Sequence, residues 1–588
     1  MGPESEAFEV LLALEKAARA PDFHLLDLSE VFNTNKWSAI RNIENDVDPF
    51  SDDLEHEIMG ADLTSRFMAS AHQIDAIVSM SSVLSKFANE LQMRFKRARE
   101  SISAKLSDGS DGLPIEIVTK IFQFAVWAEG RNGGNQAIRL SQVSRRFRNV
   151  ALASRSLWAT LCSYDSPSQL ETFISRAGPH EEYHAFARYD SHIHSSGIDW
   201  FVNSCQSIVP HWRTMTLTQD EKVRVSDPPV IGGVSVLLGV LSSSFNERGL
   251  HLPMLEKLDV RGHSKDLYVT VERDSYEWAP NLRSLRCWFT LLSPTAALTS
   301  VTTFDFTQII TDRFNAPILP LILLLKFLGF LPNLTTFSLT LHGANEFVCD
   351  LALRATECPS IVTFRLQLRG LEAKIDHQPQ RSCLASFMNA LRMPSLENIN
   401  FSLGFVDTGV EMEDEAWSRV VGDLSIALMP KHLSELSQPT SLYYFLWLDR
   451  GNSLVTEMQE VPRDNRAFYI PLDRIFSIRN LIISSWVRVQ FIKEASNLRK
   501  ADFSERCRLR ELKFVGCENM TGADLSSIVS SLVREFDVWK NIERVAVEYC
   551  TNVADEDLMR IIGEEKLHHP ARGIEKSIQV MSGVSKAL

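Results

Sequence analysis

Through most of the chain after residue 200 one phrase keeps returning: proline, any residue, then apolar-x-x-apolar-x-apolar. Five copies are PMLEKLDV (Pro253 to Val260), PNLRSLRC (Pro280 to Cys287), PNLTTFSL (Pro332 to Leu339), PSIVTFRL (Pro359 to Leu366) and PSLENINF (Pro394 to Phe401). Chance would supply roughly one proline-led match in a chain of ordinary composition. Alternate apolar residues bury one face of a strand, and no strand this short can cover that face alone. The recurring copies must therefore cover one another's apolar faces as successive repeats. Weaker copies start at Trp212, Val301, Leu442, Ile478, Leu509 and Ile542. The firm copies begin 27, 52, 27 and 35 residues apart, and Val301 divides the long interval. The apolar run Ile318 to Leu331 reads as a helix packed behind the strand that begins at Leu334.

This phrase resembles the strand of a leucine-rich repeat. Its periods exceed the usual length of about 20–29 residues, so inserted helices and loops are expected. The last two copies, LRELKFVGCENMTGADL and IERVAVEYCTNVADEDL, place Cys517 and Cys550 eight residues after the first apolar position. There a small side chain can serve the backbone at the turn after the strand. These two resemble cysteine-type repeats, with the cysteines read as buried scaffold thiols.

Ahead of the repeats lies a segment of another kind. Residues 113–124 read LPIEIVTKIFQF, where Leu113-Pro114 and Glu116 make a good helix start: proline is tolerated there and an early carboxylate suits the helix dipole. Ile117, Ile121 and Phe124 fall on one face, with Phe122 flanking it. A glycine-rich break (Glu129 to Gly134) follows, and then a second apolar stripe, Leu140, Val143, Phe147, Val150 and Ala151, interleaved with Arg145, Arg146 and Arg148. Leu157-Trp158 closes the segment. Two or three short amphipathic helices cannot bury much surface alone, so apolar residues left uncovered need a partner.

The order of these residues resembles an F-box: Leu113, Pro114, Glu116, Ile117, Ile121 and Phe122 in the first helix, Val143, Arg145, Phe147, Arg148 and Ala151 in the second part, and Leu157-Trp158 at the close. Ser144 and Phe147 stand where the family usually has Cys and Trp, and the insertion around Gly133 is longer than usual. QLETFISRAGP (from Gln169) and PHWRTMTL (Pro210 to Leu217) come next, in the order found in the large fungal family of F-box/leucine-rich-repeat proteins. The resemblance spans about residues 70–560, specific at 113–158 and pattern-level elsewhere.

Composition narrows the rest. The 588 residues carry 61 Lys+Arg against 74 Asp+Glu, a formal net charge of −13, which argues against a polyanion binder. At 45% hydrophobic residues, wholesale disorder is excluded. The start Met1-Gly2-Pro3-Glu4-Ser5-Glu6 lacks the basic flank and apolar run of a signal peptide, and Glu6 stands where a myristoylation site wants Ser or Thr. Ile318 to Leu331 is interrupted by Pro320, Lys326 and Gly329 and is too short to span a bilayer. Nine scattered cysteines without a CxxC suggest neither a zinc knuckle nor a disulfide framework, and point to a reducing compartment, cytoplasm or nucleus.

Toward the N-terminus, residues 5–20 read as a helix and Glu44 to Glu57, with seven carboxylates, as a solvated linker. Ile74, Ile77, Met80, Leu84, Phe87, Leu91 and Phe95 form a helical stripe, with Lys86, Arg94, Lys96, Arg97 and Arg99 largely off it. Such a helix either docks on the body of its own chain or self-associates as a short coiled coil.

His180-Glu181-Glu182-Tyr183-His184 matches H-E-x-x-H, which on a helix would set two imidazoles on one face for zinc. Asp190 stands six residues further on, but Ala187 replaces the glycine that the extended form of the motif needs. The segment reads instead as a solvated loop. His192, His194, His568 and His569 have no companion ligands and read as surface residues. Phosphate-loop, dinucleotide, nucleophile-elbow and kinase motifs are absent from the sequence.

The expected organisation is an N-terminal helix and acidic linker (1–63), a coiled-coil-like helix (64–108), a three-helix F-box (109–162), a connecting segment (163–220), an irregular leucine-rich-repeat solenoid of parallel strands backed by helices (205–565), and a tail (566–588). What the resemblance implies is a substrate-recognition subunit of a Skp/cullin/F-box ubiquitin ligase. Leu113, Pro114, Ile117, Ile121, Phe122, Val143, Phe147, Leu157 and Trp158 would face the Skp-type adaptor or form the module core; the sequence does not say which. The adaptor would tether the chain to a cullin, and the repeats would bind a target protein. No cofactor, metal, nucleic acid or membrane is expected, and the chain would do no covalent chemistry. The alternatives are an adaptor-bound scaffold that delivers nothing for degradation and, remotely, a zinc metalloprotease through His180 and His184.

Overall fold

The computed structural model of the chain describes residues 113–189, 196–219, 233–262, 277–292, 296–309, 319–343, 353–371, 383–406, 414–429, 439–449, 466–493 and 500–568, with scattered positions between 78 and 100. The chain divides into two compact units, Met1–Pro114 and Ile115–Leu588. In the first, positions 78, 82, 85, 86, 89, 92–97 and 100 are helical, and Phe95 is exposed. The other stripe residues from Ile74 to Leu91 lie outside the described residues, as do the helix expected over 5–20, the acidic segment 44–57, Asp190, His192, His194, His569 and most of the tail.

The second unit begins with a helical cap: α1 Ile115–Ala128, a 3-10 turn Gly130–Asn132, α2 Gly133–Val143, α3 Arg145–Ala153 and a 3-10 turn Arg155–Trp158. The stripe Leu140 to Ala151 does not belong to a single helix. Ser144 turns extended, with φ −155° and ψ 167°, and its hydroxyl accepts the Phe147 N–H as the N-cap of α3. Serine here competes for the backbone and splits the stripe in two.

Among the described residues thirteen strands then form one parallel sheet in chain order. They are β1 Thr160–Cys162, β2 Tyr183–Tyr189, β3 Trp212–Gln219, β4 Lys257–Arg261, β5 Ser284–Trp288, β6 Thr303–Ile309, β7 Thr336–His342, β8 Thr363–Leu371, β9 Asn398–Val406, β10 Ser441–Asp449, β11 Asn480–Ser485, β12 Glu511–Val515 and β13 Arg544–Glu548. Helices line the other side of the core: α4 Pro167–Ala177, α5 Ser196–Ser204, α6 Gly233–Glu247, α7 Leu319–Leu328, α8 Cys383–Ala390, α9 Asp414–Leu428, α10 Lys500–Arg506, α11 Gly522–Arg534 and α12 Asp555–Ile562. The arrangement is an α/β solenoid of parallel strands backed by helices.

Each proline-led phrase has a structural cause. The proline takes the second position of a β-turn, where its fixed φ is pre-set. The turn closes when the first apolar residue donates its N–H to the carbonyl just before the proline: Leu255 to Leu252, Leu282 to Ala279, Leu334 to Leu331, Ile361 to Cys358 and Leu396 to Met393. All five strands start four residues after their proline. In three of the five the residue after the proline ties one coil to the coil before it. Asn281 Nδ2 donates to the Pro253 carbonyl and Asn333 Nδ2 to the Thr299 carbonyl, both at 2.8 Å, and the Ser360 hydroxyl donates to the Pro332 carbonyl.

Five of the six weaker copies start where the sequence places them. At Leu442 the register differs. Leu442 pairs with Ile399 and Tyr444 with Phe401, so Leu442 is the second apolar position of its phrase and buried Pro439 holds the first. Leu442, Tyr444 and Leu446 point into the core, while Phe445 faces out. Strands β1 and β2 carry no recognisable phrase. Inside the sheet Phe304, Phe337 and Phe364 stack at 5.8 and 5.5 Å between ring centroids, a ladder that runs on through Phe401 and Tyr444. The expected helix at Ile318 to Leu331 is α7, whose Phe327 packs 5.1 Å from Phe304. Among the described residues no helix is long and apolar enough to cross a membrane.

Cys517 and Cys550 serve the backbone at the turns after β12 and β13. The Cys550 sulfur accepts the Cys517 N–H at 3.3 Å, and the Cys517 thiol points at the Ile483 carbonyl at 3.6 Å. Hydrogen bonding to Cys550, together with burial, pushes the Cys517 thiol well up. Asn519 and Asn552 continue the same ladder by donating to the carbonyls of Trp486 and Glu518.

Candidate docking face on the helical cap

Helix α1 carries two apolar stripes. Val118, Phe122 and Val126, spaced four residues apart, are buried. Ile117, Ile121 and Phe124, also at helical spacing, lie well round the helix from them, and all three are exposed, Phe124 at 66%. Trp127 joins this outer stripe with its ring edge-on to Phe124, centroids 6.0 Å apart. The face legible in the sequence is thus the outward one, and the core face is built on Phe122, which the pattern only placed beside it.

The candidate residues separate cleanly. Phe122, Leu157 and Trp158 are core, and half-buried Phe147 packs edge-to-face on Phe122 at 4.9 Å. Leu113, Pro114, Ile117, Ile121 and Val143 are exposed, Val143 at 64% as the last residue of α2. Ile115, Trp127 and Leu152 are exposed apolar residues that the pattern missed. Ile115 and Trp127 sit in the same helical run, so their apolar character was the available signal.

The cap is not a separate bead. Trp158 donates Nε1–H to the Ala151 carbonyl at 2.8 Å, packs 5.8 Å from Phe173 of α4, and carries the Arg176 guanidinium 4.2 Å over its ring. Next to it, a Cβ at Gly134 would come within 2.5 Å of the Phe173 ring. The glycine-rich stretch is therefore partly the start of α2, where absent side chains let the cap meet the first repeat helix. At the junction the Cys162 thiol donates to the Arg131 carbonyl at 2.8 Å, and the Tyr164 hydroxyl donates to the same oxygen at 3.3 Å.

Between α1, α3 and Glu181 runs an open groove of ≈ 460 Å³, with Ile115, Thr119, Gln123, Val150 and Ser156 among its lining. Gln123 Nε2 donates to the Ser156 hydroxyl at 3.0 Å, while its buried Oε1 has no hydrogen-bond partner. Burial raises the Glu181 carboxyl, with Glu182 adding to the shift and Arg155 opposing it.

The histidine motif meets a different backbone from the one zinc would need. Tyr183–Tyr189 is strand β2, so the two imidazoles are not presented one helical turn apart; His180 to Glu182 lie in the turn before it, with His180 and Glu182 exposed, and the loop reading fails only from buried Tyr183 onward. His184 pairs with Thr160 on one side and Thr214 on the other, and its Nδ1 lies 2.9 Å from the Thr214 hydroxyl. Burial lowers its pKa, which favours the neutral ring. Alternation in β2 follows Tyr183, Ala185 and Ala187 into the core, and this two-residue period overrides the helix reading. Among the described residues no three His, Cys, Asp or Glu side chains are grouped to hold a metal ion.

No model of a known protein family matches this chain. A search of curated proteins finds no match.

Proposed function

We propose that the chain is the substrate-recognition subunit of a Skp/cullin/F-box ubiquitin ligase, with the helical cap as its F-box and the solenoid as its target-binding part. The observation that carries the reading is the second apolar stripe of α1. A helix that has already buried Val118, Phe122 and Val126 keeps Ile117, Ile121, Phe124 and Trp127 in solvent. Contiguous exposed apolar surface of this kind marks an interaction site. The F-box resemblance supplies the partner, a Skp-type adaptor, and through it a cullin. In this reading the cap is anchored rigidly to the first repeats, so docking the adaptor fixes where the target is held. The chain contributes no covalent step. It raises the target's effective concentration near a charged conjugating enzyme.

The test is co-expression of the full chain with a Skp-type adaptor, followed by size-exclusion chromatography. Because Trp158 and Gly134 share a core with Phe173, the full chain is used and not the cap alone. A one-to-one complex is expected, lost in the double variant Pro114→Ala, Ile117→Asp while the solenoid stays folded. Persistence of the complex in that variant would remove the interface assignment, and failure to form it at all would remove the reading.

A further inference from the structure

Helix α1 has a third flank besides its buried and outer stripes. Ile115, Thr119 and Gln123 recur every four residues and form one wall of the open groove beside α3 and Glu181. Thr119 and Ile121 stand two residues apart, on opposite sides of the helix, so the groove is separate from the outer stripe. Its volume of ≈ 460 Å³ falls in the lower half of the range for small-molecule sites, about 300–1,000 Å³. Such sites form preferentially at seams between packed parts. This groove is one, with α1 and α3 of the cap on one side and the turn ahead of β2 on the other.

The polar groups of this groove are only partly answered. The Thr119 and Ser154 hydroxyls lie 3.5 Å apart, the Ser154 hydroxyl donates to the Val150 carbonyl at 2.7 Å, and Gln123 Nε2 donates to the Ser156 hydroxyl. Gln123 Oε1 is left over, a buried acceptor with no hydrogen-bond partner. A buried acceptor left unpaired is costly, and a donor brought in by a ligand recovers the loss. Arg155 and Glu181 line the same groove with opposite charges, yet among the described residues neither closes an ion pair. Glu181 senses Arg155 only through space, while burial works against its ionised form. A cation beside Glu181 offsets that penalty. Ile115, Val150 and Ala153 supply an apolar wall.

We infer that this groove binds a free α-amino acid with an apolar side chain, its ammonium serving Glu181 and Gln123 Oε1 and its carboxylate serving Arg155. Complementarity selects that class. An ammonium is all donor and no acceptor, so one group answers both the Glu181 carboxylate and the orphan oxygen. The Arg155 guanidinium offers a fork suited to a carboxylate. A lysine side chain of a partner protein leaves Arg155 facing a cation. A phosphate compound meets the negative charge of Glu181, and a neutral apolar molecule leaves all of these polar groups unanswered. The side chain of the amino acid lies on Ile115, Val150 and Ala153. Bound there, the ligand bridges the cap to the turn ahead of β2. The inference stands apart from the adaptor reading, since none of these residues belongs to the outer stripe.

The test is titration calorimetry of the purified full chain with each standard L-amino acid in turn, and with the N-acetyl and amide forms of the best binder. One-to-one binding of an apolar amino acid is expected. Each blocked form should bind about tenfold or more weakly, as for loss of a hydrogen bond to a charged group. Glu181→Gln and Arg155→Met should each weaken the free amino acid by a similar factor. Glu181→Gln should not weaken the N-acetyl form further, and Arg155→Met should not weaken the amide further, because each has already lost the matching charge. Both substitutions change solvent-accessible side chains, and unchanged melting midpoints without ligand show that the variants are folded. Ile121→Asp should leave the affinity unchanged, so failure here and failure of the adaptor complex are read separately. Absence of saturable binding by any amino acid, equal binding of the blocked forms, indifference to both substitutions, or loss of binding in Ile121→Asp would each overturn the inference.

Discussion

Gly134 and Phe173 occupy one space: a Cβ on the glycine would stand 2.5 Å from Cε2 of the ring. Phe173 is 1% exposed and is braced by Trp158, so the ring cannot swing away. Gly134→Ala therefore loses more by overpacking than it gains in helix propensity, and about 1–3 kcal/mol of destabilisation is expected. Thermal unfolding of the full chain would show it as a lowered midpoint. Adding Phe173→Leu should recover part of the loss, because the two positions are in contact and their effects do not add. Strictly additive losses would mean that the cap and α4 do not meet through this pair.

Neighbouring residues on α1 should behave in opposite ways. Ile121→Asp alters an exposed side chain and should change stability by less than about 0.5 kcal/mol. Phe122→Ala empties a core position against Phe147 and should cost about 3–5 kcal/mol. Chemical denaturation of the two variants decides the matter. Equal losses would place both residues in the core and remove the outer stripe as a docking face.

The solenoid was legible because five of its coils repeat one turn with one cause. Proline sets the bend, in three of them the next polar side chain ties back to the coil before, and alternate apolar residues enter the core. The phrase failed where its residues were missing. Strand β1 has no proline turn before it; Pro179 does turn the chain four residues ahead of β2, with the Glu181 N–H donated to the Gly178 carbonyl, but Glu181 stands where the phrase wants an apolar residue. Buried Pro439 itself fills the first apolar position ahead of Leu442, so the pattern locked on three residues late. The cap was legible as two amphipathic helices, but a period of 3.6 cannot say which of two apolar stripes faces inward. Packing of Phe122 on Phe147 and of Trp158 on Phe173 decides it, and those contacts join residues distant in sequence. The seat of Trp447 was invisible because it depends on Gly404, forty-three residues earlier on the neighbouring strand.

The cysteines should be slow to react. Seven described thiols are buried, and burial pushes Cys162, Cys205 and Cys358 up to about 12 each. The thiolate is the nucleophile, so at pH 8 these three are protonated as well as covered. Alkylation followed by peptide mapping should leave Cys162, Cys205 and Cys358 unmodified in the native chain and label them fully in denaturant. Rapid native labelling at any of the three would show that its coil opens locally.

Asp165 gives the chain a pH dependence of definite sign. Burial raises its carboxyl from 3.8 to about 6, against the opposing hydrogen bond that it accepts from the Cys162 N–H at 3.1 Å. The folded chain thus holds this proton more tightly than the unfolded chain does. Between about pH 4 and 6 the folded state binds more protons, so stability falls as pH rises through that window. The penalty is complete above pH 6 and absent below pH 4. Asp165→Asn keeps an oxygen for the Cys162 N–H and removes the charge. Melting temperatures of the two proteins across this range should then diverge: the variant higher at pH 7.5, the gap closing as pH falls toward 4. Parallel curves would mean that the Asp165 carboxyl titrates normally and that the junction at β1 does not desolvate it.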